Sequence, residues 1–365
     1  MRCSLDLLKL LCGEFSEMIA VGEFLLGLFS ERIAIDLGTT YSIVARQHDE
    51  EFLKIPSTVA YDLQQGMPIA FGEEAKRMMG KSPDRYSVIC PLKDGVIADF
   101  QATNSYVAFL LSESARQKFA LHYDVYLCLP WGATPVELRS YIHGFRSTRR
   151  RIRIVREPFA AALGAGLDVF QDEPSTIVDM GGGTTEIATI SRGFMLHANT
   201  LRRAGNFCDQ LITDQVRKQI KLEIGLSTAE KMKLQYGSVW PTDEDLDVEL
   251  RGMDRESGRP ALRLFPTEEL RGILNAYAHS VEDLIQSHLS RLSLDARSRV
   301  ASNGIWLAGG TSMLKGWAER LQSRFQIPVR QLPDPQLAVI QGLKKIMQSP
   351  HLFDPLLRIS SLVAK

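Results

Sequence analysis

Apolar and polar residues are arranged in two different patterns along the chain, one typical of strands and one typical of helices. The apolar runs at "RIAI", from Arg32, and "DVYLCL", from Asp124, have the length and branched side chains of buried strands. By contrast, "EPFAAALGAGL", from Glu157, and the long segment after Thr267 have helical spacing, and Thr267 is a predicted N-cap. Because strands and helices alternate throughout, the pattern predicts an α/β fold.

One strand–turn–strand pattern occurs twice. The stretches "IAIDLGTTYSIVA" and "IVDMGGGTTEIATI" both place an aspartate near the end of an apolar strand, before glycine and two threonines. Asp36 corresponds to Asp179, about 143 positions later, and Thr39–Thr40 corresponds to Thr184–Thr185. This separation is roughly one domain length, so the repeat indicates a duplicated fold whose halves face each other.

The composition of these two turns suits a bound phosphate. Successive glycine amides form a concave nest for an anion, and threonine hydroxyls donate further hydrogen bonds. An aspartate beside a phosphate requires a cation between them, and Mg²⁺ can fill that place while keeping most of its waters. The two hairpins are therefore predicted to hold Mg-ATP. The alternative is a pair of ordinary tight turns with capping aspartates.

A third glycine turn, "GIWLAGGTSMLKG", lies near the end of the chain. Gly309 and Gly310 follow an apolar run and precede a helical pattern. Without side chains, these residues allow a flat base to approach the backbone closely. Together with the two phosphate turns, this turn is predicted to contact adenosine.

The overall composition narrows the function classes. The 365 residues exceed one compact core and indicate about two domains. The 43 basic and 43 acidic residues cancel, and the seven histidines show no metal-binding spacing. Neither nucleic-acid binding nor a transition-metal site is therefore expected. The five cysteines are scattered, which is typical of a protein in a reducing cytoplasm.

A basic run, "RSTRRRIRIVR", extends from Arg146 to Arg156. It lacks interleaved aromatic residues, and it lies in a loop that enters a strand. We interpret it as a solvated edge or a contact to a protein partner rather than a nucleic-acid surface.

The first 30 residues differ from the rest of the chain. Leu5, Leu8, Cys12, Phe15 and Ile19 recur at helical spacing, but charged residues interrupt the segment too often for a membrane-spanning helix. It also lacks the basic start and cleavage site of a signal peptide. Three interpretations remain: an amphipathic segment on a membrane surface, a helix packed on the protein's own body, or a start codon assigned upstream of the true start at Met18.

Several blocks give the sequence a family resemblance. In order and spacing, "GEEAKRMMGKSP", "PLKDGVIADF", "LPWGATPVELR", "REPFAAALGAGLDV" and "IPVRQLPDP" resemble the MreB-like bacterial actins. These belong to the actin, sugar-kinase and DnaK-type chaperone superfamily, and the resemblance covers Glu31 to about Met347. It implies the actin-like ATPase fold: two duplicated α/β domains, each with a smaller subdomain, around an interdomain nucleotide cleft.

The resemblance also implies a division of the chain. Residues 1–30 would be the N-terminal amphipathic segment with a membrane contact, and residues 348–365 a C-terminal tail. Residues 31–165 would form the first domain, with its small subdomain at about 51–97. Residues 166–347 would form the second, with a small subdomain at about 206–268 and its end packed back on the first domain.

Individual roles follow from the same resemblance. Asp36 and Asp179 correspond to acids that hold Mg²⁺ through its waters, and Glu157, assisted by Thr184, to the acid that aims the attacking water. From the residues alone, Glu157 could be a helix-start acid, and Glu230 and Lys233 a solvated helix face. Nucleotide contacts are implied for Gly38, Thr39, Thr40, Gly181, Gly182, Gly183, Thr184, Thr185, Glu230, Lys233, Gly309 and Gly310.

At the level of the cell, the resemblance implies a slow ATPase whose turnover is coupled to filament assembly. Its expected partners are further copies of itself, the inner-membrane surface and membrane proteins of the wall-synthesis machinery. Its expected location is the cytoplasm, peripherally associated with the inner membrane.

Three positions depart from the family pattern. Arg156 replaces the first acid of the usual "EEP", Asn206 in "AGNFCD" stands where an acid is expected, and Thr311 stands where a third glycine is common. The "AGNFCD" turn is closer to MamK, so a MamK-like filament that organises an organelle is an alternative to wall synthesis. A metabolite kinase on the same fold is a further hypothesis, for which the sequence offers no dedicated base.

Overall fold

The computed structural model describes residues 30–81, 84–114, 122–145, 150–242 and 245–357. The predicted amphipathic segment therefore lies outside the described residues, apart from Ser30, and so do residues 358–365 of the predicted tail. Part of the basic run, 146–149, also lies outside them. Within the described ranges, no helix is both long enough and apolar enough to cross a bilayer.

The first half of the chain forms a five-stranded sheet in the order β10-β9-β1-β2-β3. The β1–β2 and β2–β3 pairs are antiparallel, whereas β1–β9 and β9–β10 are parallel. The apolar run of β9 is buried from Val125 to Leu129, because helices cover both faces of the sheet. The five strands are β1 (Ser30–Leu37), β2 (Tyr41–Arg46), β3 (Leu53–Pro56), β9 (His122–Leu129) and β10 (Arg150–Arg156).

The second half forms another five-stranded sheet, in the order β13-β12-β11-β17-β18. Its pairs repeat the first sheet: β11–β12 and β12–β13 are antiparallel, and β11–β17 and β17–β18 are parallel. Asp36 on β1 and Asp179 on β11 therefore occupy equivalent strands of two equivalent sheets. The five strands are β11 (Ser175–Met180), β12 (Thr185–Ser191), β13 (Phe194–Leu201), β17 (Ile305–Ala308) and β18 (Val329–Gln331).

Each half also carries a smaller, antiparallel three-stranded sheet. The first has the order β5-β4-β6 and lies within residues 51–97, and the second has the order β14-β15-β16 and lies within residues 206–268. A separate two-stranded ribbon pairs β7 with β8. The strands are β4 (Val59–Asp62), β5 (Met67–Phe71), β6 (Tyr86–Ile89), β7 (Leu92–Lys93), β8 (Val96–Ile97), β14 (Leu222–Glu223), β15 (Asp247–Asp254) and β16 (Pro260–Pro266).

Helices connect and cover these sheets. Two short 3₁₀ turns, Gly310–Met313 and Pro335–Leu337, flank the last strands. The α-helices are α1 (Gly72–Met78), α2 (Phe100–Ser114), α3 (Pro135–Phe145), α4 (Glu157–Gly164), α5 (Gly205–Ile220), α6 (Leu226–Tyr236), α7 (Thr267–Arg291), α8 (Leu294–Asn303), α9 (Trp317–Phe325) and α10 (Ala338–Gln348).

One hydrophobic core joins the two halves, with α4 and α10 crossing at its centre. It includes Ala34 of the first sheet and Ile177 of the second. The two helix backbones lie so close that only glycine fits at two positions. A Cβ at Gly164 would lie 1.7 Å from the Ala338 carbonyl oxygen, and a Cβ at Gly342 would lie 1.8 Å from the Ala160 carbonyl oxygen. This close packing fixes the base of the cleft between the sheets.

Candidate functional site

The two repeated hairpins meet tip to tip. A Cβ at Gly182 would lie 2.1 Å from Thr40 Oγ1, and one at Gly183 would lie 2.4 Å from Thr39 Oγ1. Glycine is therefore required at both positions for the turn of the second hairpin to reach the threonines of the first. Thr40 Oγ1 also donates a 2.9 Å hydrogen bond to Asn206 Oδ1, which ties α5 to the same meeting point.

Both hairpins line one cleft with a volume of about 470 Å³. The structure brings the predicted phosphate, metal, water-positioning and adenosine residues to this single cavity, with the exception of Thr185. Its lining includes Asp36, Gly38, Thr39, Thr40, Glu157, Asp179, Gly181, Gly182, Gly183, Thr184, Glu230, Lys233, Gly309 and Gly310.

Thr185 faces the other way. Its side chain is fully buried, and its hydroxyl bonds the Arg203 carbonyl oxygen at 2.9 Å and the Tyr277 hydroxyl at 2.7 Å. Adjacent residues on a strand point to opposite faces, so Thr184 can face the cleft while Thr185 faces the core. The nucleotide contact expected of Thr185 therefore does not fit its position.

Several acidic side chains line the cleft. Burial raises the pKa of Asp36 to about 7, and burial with the charges of Asp36 and Glu186 raises the pKa of Asp179 to about 8. Burial and the neighbouring acids also raise the pKa of Glu157 well above its ordinary value, which the charge of Arg156 opposes. Burial thus favours the protonated form of these carboxyls, and a bound cation would favour their ionised form.

This donor set fits Mg²⁺ held partly by other ligands. Among the described residues, no group of three or more His, Cys, Asp or Glu side chains could hold a metal ion by itself. Mg²⁺ commonly takes one or two carboxylates and completes its shell with waters and substrate phosphates. Asp36 and Asp179, beside the two glycine turns, match that pattern.

Glu157 lies where β10 ends and α4 begins, with Pro158 in the first turn of the helix. It therefore is the helix-start acid that the sequence allowed, and it also lines the cleft. Its carboxylate can therefore accept a hydrogen bond from a water in the cleft.

The third glycine turn closes on the second hairpin. Gly309 has φ +80°, and a Cβ there would lie 2.3 Å from Asp179 Oδ1. Thr311, which replaces a common glycine, donates its hydroxyl to the Gly181 carbonyl oxygen at 2.6 Å. The threonine thus links the third glycine turn to the second hairpin by a hydrogen bond.

Glu230 and Lys233 on α6 do not form a freely solvated face. Lys233 is buried and donates to the Gly205 carbonyl oxygen at 2.8 Å and to Asp209 Oδ2 at 2.9 Å. Glu230 Oε2 lies 3.1 Å from Lys76 Nζ, which comes from the other half of the chain. Both residues line the cleft.

Sequence reasoning missed charged residues in and beside the cleft, among them Glu186 and Lys54, which line it, and Lys76. Glu186 is 2% exposed and follows the second hairpin on β12, a strand whose other residues are also all buried. Lys76 bridges to Glu230 from α1. The only available signal for Glu186 was a charge within an otherwise apolar run, since a buried charge needs partners.

The duplicated sheets, the facing hairpins and the cleft between them define the actin-like ATPase fold, as predicted. MreB5 of Spiroplasma citri bound to ADP superposes with a TM-score of 0.83 at 28% identity, covering 88% of this chain and 97% of that chain. The same protein bound to AMPPNP gives the same score. A MamK double helical filament shares the fold at a TM-score of 0.73 and 20% identity, over 88% of this chain and 99% of that one.

The chain belongs to the MreB/Mbl family, whose model matches residues 30–354. The cell shape-determining protein Mbl of Bacillus cereus is 32% identical over 316 residues, which cover 86% of this chain and 95% of that protein. The cell shape-determining protein MreB of Escherichia coli is 32% identical over 328 residues, covering 88% and 94%. The predicted resemblance to MreB-like bacterial actins is thereby confirmed.

Proposed function

We propose that this protein binds and slowly hydrolyses ATP and assembles into filaments as an MreB-type cytoskeletal protein. The observation that carries the proposal is the meeting of the two glycine hairpins, with Asp36 and Asp179 lining one cleft. MreB5 of Spiroplasma citri, which has the same fold, has been solved with ADP and with AMPPNP. The relatives Mbl and MreB are named cell shape-determining proteins.

In this proposal, residues of both halves share the nucleotide. The amides of Gly181, Gly182 and Gly183 and the hydroxyls of Thr39, Thr40 and Thr184 bind the phosphates. Asp36 and Asp179 would hold Mg²⁺ through its waters, and the bound ion would supply positive charge beside the phosphates. Glu157 accepts a hydrogen bond from the attacking water and aims it in line with the γ-phosphate, assisted by Thr184.

The adenosine end lies between α6 and the last glycine turn. Glu230 would bind the ribose, and the backbone at Gly309 and Gly310 would contact the base. Lys233 is held by Gly205 and Asp209 and would shape this end of the cleft.

ATP would couple two domains, which we place at residues 31–165 and 166–347. Closure of a cleft between two domains moves their outer surfaces, so hydrolysis could time assembly and disassembly. The amphipathic segment 1–30 would attach the filament to the inner membrane. There the filament would guide membrane proteins of wall synthesis.

Sedimentation with ATP tests assembly and membrane attachment together. We expect the whole chain and a chain that starts at Glu31 both to form pelletable polymer with Mg-ATP. Only the longer chain should float with liposomes of anionic and neutral lipid. An absence of polymer with every nucleotide, together with sugar-stimulated ATP use, would instead favour a metabolite kinase.

The substitution Glu157→Gln tests hydrolysis. It keeps the shape of the side chain but weakens its acceptor, so we expect ATP turnover to fall about 100-fold while ATP affinity changes less than threefold. Unchanged turnover would remove Glu157 from the proposed mechanism.

A further inference from the structure

Two buried charged side chains, from different parts of the chain, form hydrogen bonds with a short turn after β9. The turn consists of Pro130, Trp131 and Gly132, and Pro130 lines the cleft. Glu186, on the second sheet, accepts hydrogen bonds from the backbone nitrogens of Trp131 at 3.0 Å and Gly132 at 3.5 Å. A carboxylate of one half thus binds the backbone of the other.

Arg156 also forms a hydrogen bond with this turn. It ends β10, is 6% exposed, and donates from Nη1 to the Pro130 carbonyl oxygen at 2.9 Å. Its guanidinium lies 5.9 Å from the centre of the Trp131 ring. The guanidinium therefore binds the acceptor of the turn, and Glu186 binds its donors, as the charges of the two groups require.

The fit around the turn leaves little room for movement. Thr200 donates to Glu186 Oε1 at 2.7 Å, and a Cβ at Gly132 would lie 2.8 Å from Thr200 Oγ1. The turn is thus held by β12 and β13 of the second sheet and by β10 of the first.

The position of Arg156 connects this turn to the chemistry. Arg156 is bonded covalently to Glu157, and Glu186 lies two residues beyond Thr184 on the second hairpin. On the strand pair, Glu186 is also the partner of Asp179. A rigid turn between Arg156 and Glu186 therefore fixes the distance between Glu157 and the second hairpin.

We propose that Arg156 and Glu186 are positioning residues that hold Glu157 in register with the second phosphate hairpin through the Pro130–Gly132 turn. The inference rests on the proposed ATPase. Neither side chain needs to touch the nucleotide, so the pair would govern the rate of hydrolysis rather than the affinity for ATP. Small displacements of a reacting group can slow a reaction by about 100-fold.

The test compares Glu186→Gln, Arg156→Met and the double variant with wild type. Saturating single-turnover hydrolysis measures the rate, and titration with a fluorescent ATP analogue measures affinity. We expect each single variant to hydrolyse ATP at least about tenfold more slowly with affinity within about threefold. The double variant should match the slower single, because both act through one turn, and Arg156→Lys should recover part of the rate.

Hydrogen exchange supplies a readout that needs no activity. The amides of Trp131 and Gly132 should exchange faster in Glu186→Gln than in wild type, while those of α7 stay unchanged. Unchanged exchange at the turn, wild-type hydrolysis in both variants, or equal losses of rate and affinity would overturn the positioning role. A wild-type chain that neither binds nor hydrolyses ATP would refute the proposed function instead.

Discussion

Lys76 Nζ lies 3.1 Å from Glu230 Oε2, so an ion pair joins α1 in the first half of the chain to α6 in the second half. Lys76 also donates to the Tyr41 hydroxyl at 3.0 Å, and Tyr41 directly follows the threonines of the first hairpin. Both charged side chains are only 24% and 20% exposed. The contact spans the cleft and can oppose its opening.

Reversing this charge should speed nucleotide release. In Lys76→Glu, two carboxylates face each other, and their repulsion should destabilise the closed cleft by about 1 kcal/mol. This corresponds to roughly fivefold faster dissociation of a fluorescent ADP. Lys76→Met removes the attraction without adding repulsion, so its release rate should lie between those of wild type and Lys76→Glu. Arg77→Glu is the matched control, because that side chain is 73% exposed and pairs within its own helix. Release from Lys76→Glu at the wild-type rate, or an equal rise in rate for Arg77→Glu, would argue against a role for this ion pair.

Gly309 should not tolerate a side chain. In Gly309→Ala, the added Cβ would lie 2.3 Å from Asp179 Oδ1 in a left-handed backbone conformation, so it would displace the acid that we propose holds Mg²⁺. We expect ATP affinity to fall at least about tenfold, with a stability loss of about 1–3 kcal/mol by urea unfolding.

Gly258 provides the control for backbone strain. It has φ +67° with open space around it, so Gly258→Ala should lose about 1 kcal/mol without affecting ATP binding. Equal ATP affinities for the two alanine variants would show that the contact with Asp179 does not matter.

His288 should make stability depend on pH. The ring is buried and bonds Thr189 Oγ1 at 2.8 Å, and burial, with the charge of His197, lowers its pKa to about 3. The unfolded chain takes up this proton near pH 6.5 and the folded chain does not, so stability is lost as pH falls below 6.5. The loss should reach about 2 kcal/mol at pH 5.

Urea unfolding of wild type and His288→Gln at pH 7 and pH 5 isolates this effect. Other groups titrate alike in both proteins, so the difference between their stabilities should shrink by about 2 kcal/mol on going to pH 5. A difference that stays constant would mean that His288 does not titrate as its burial requires.

The sequence predicted the parts of the site that recur locally. Asp36 and Asp179 were found because each aspartate lies in the same short strand–turn pattern, and local patterns are readable without the fold. Thr185 matched that pattern as well, but the alternation of side chains along β12 turns its hydroxyl toward Tyr277.

The contacts that bridge the halves could not be predicted in the same way. Lys76 and Glu230 are 154 residues apart, and the partners of Glu186 are backbone groups about 55 residues away. Only the folded chain brings such groups together. Thr267 shows the same limit at a helix end: α7 begins at Thr267 itself, and its hydroxyl binds the Leu246 backbone nitrogen at 3.0 Å instead of capping the helix.

The most direct test of the shared clamp is calorimetric titration with ATP, with and without Mg²⁺, of wild type, Asp36→Asn and Asp179→Asn. We expect one ATP per wild-type chain, bound more tightly with Mg²⁺, and the gain from Mg²⁺ should disappear when either aspartate is replaced alone. Both aspartates face one cavity, so each is needed. If either variant keeps the full gain from Mg²⁺, the two hairpins do not hold one metal-bound nucleotide between them.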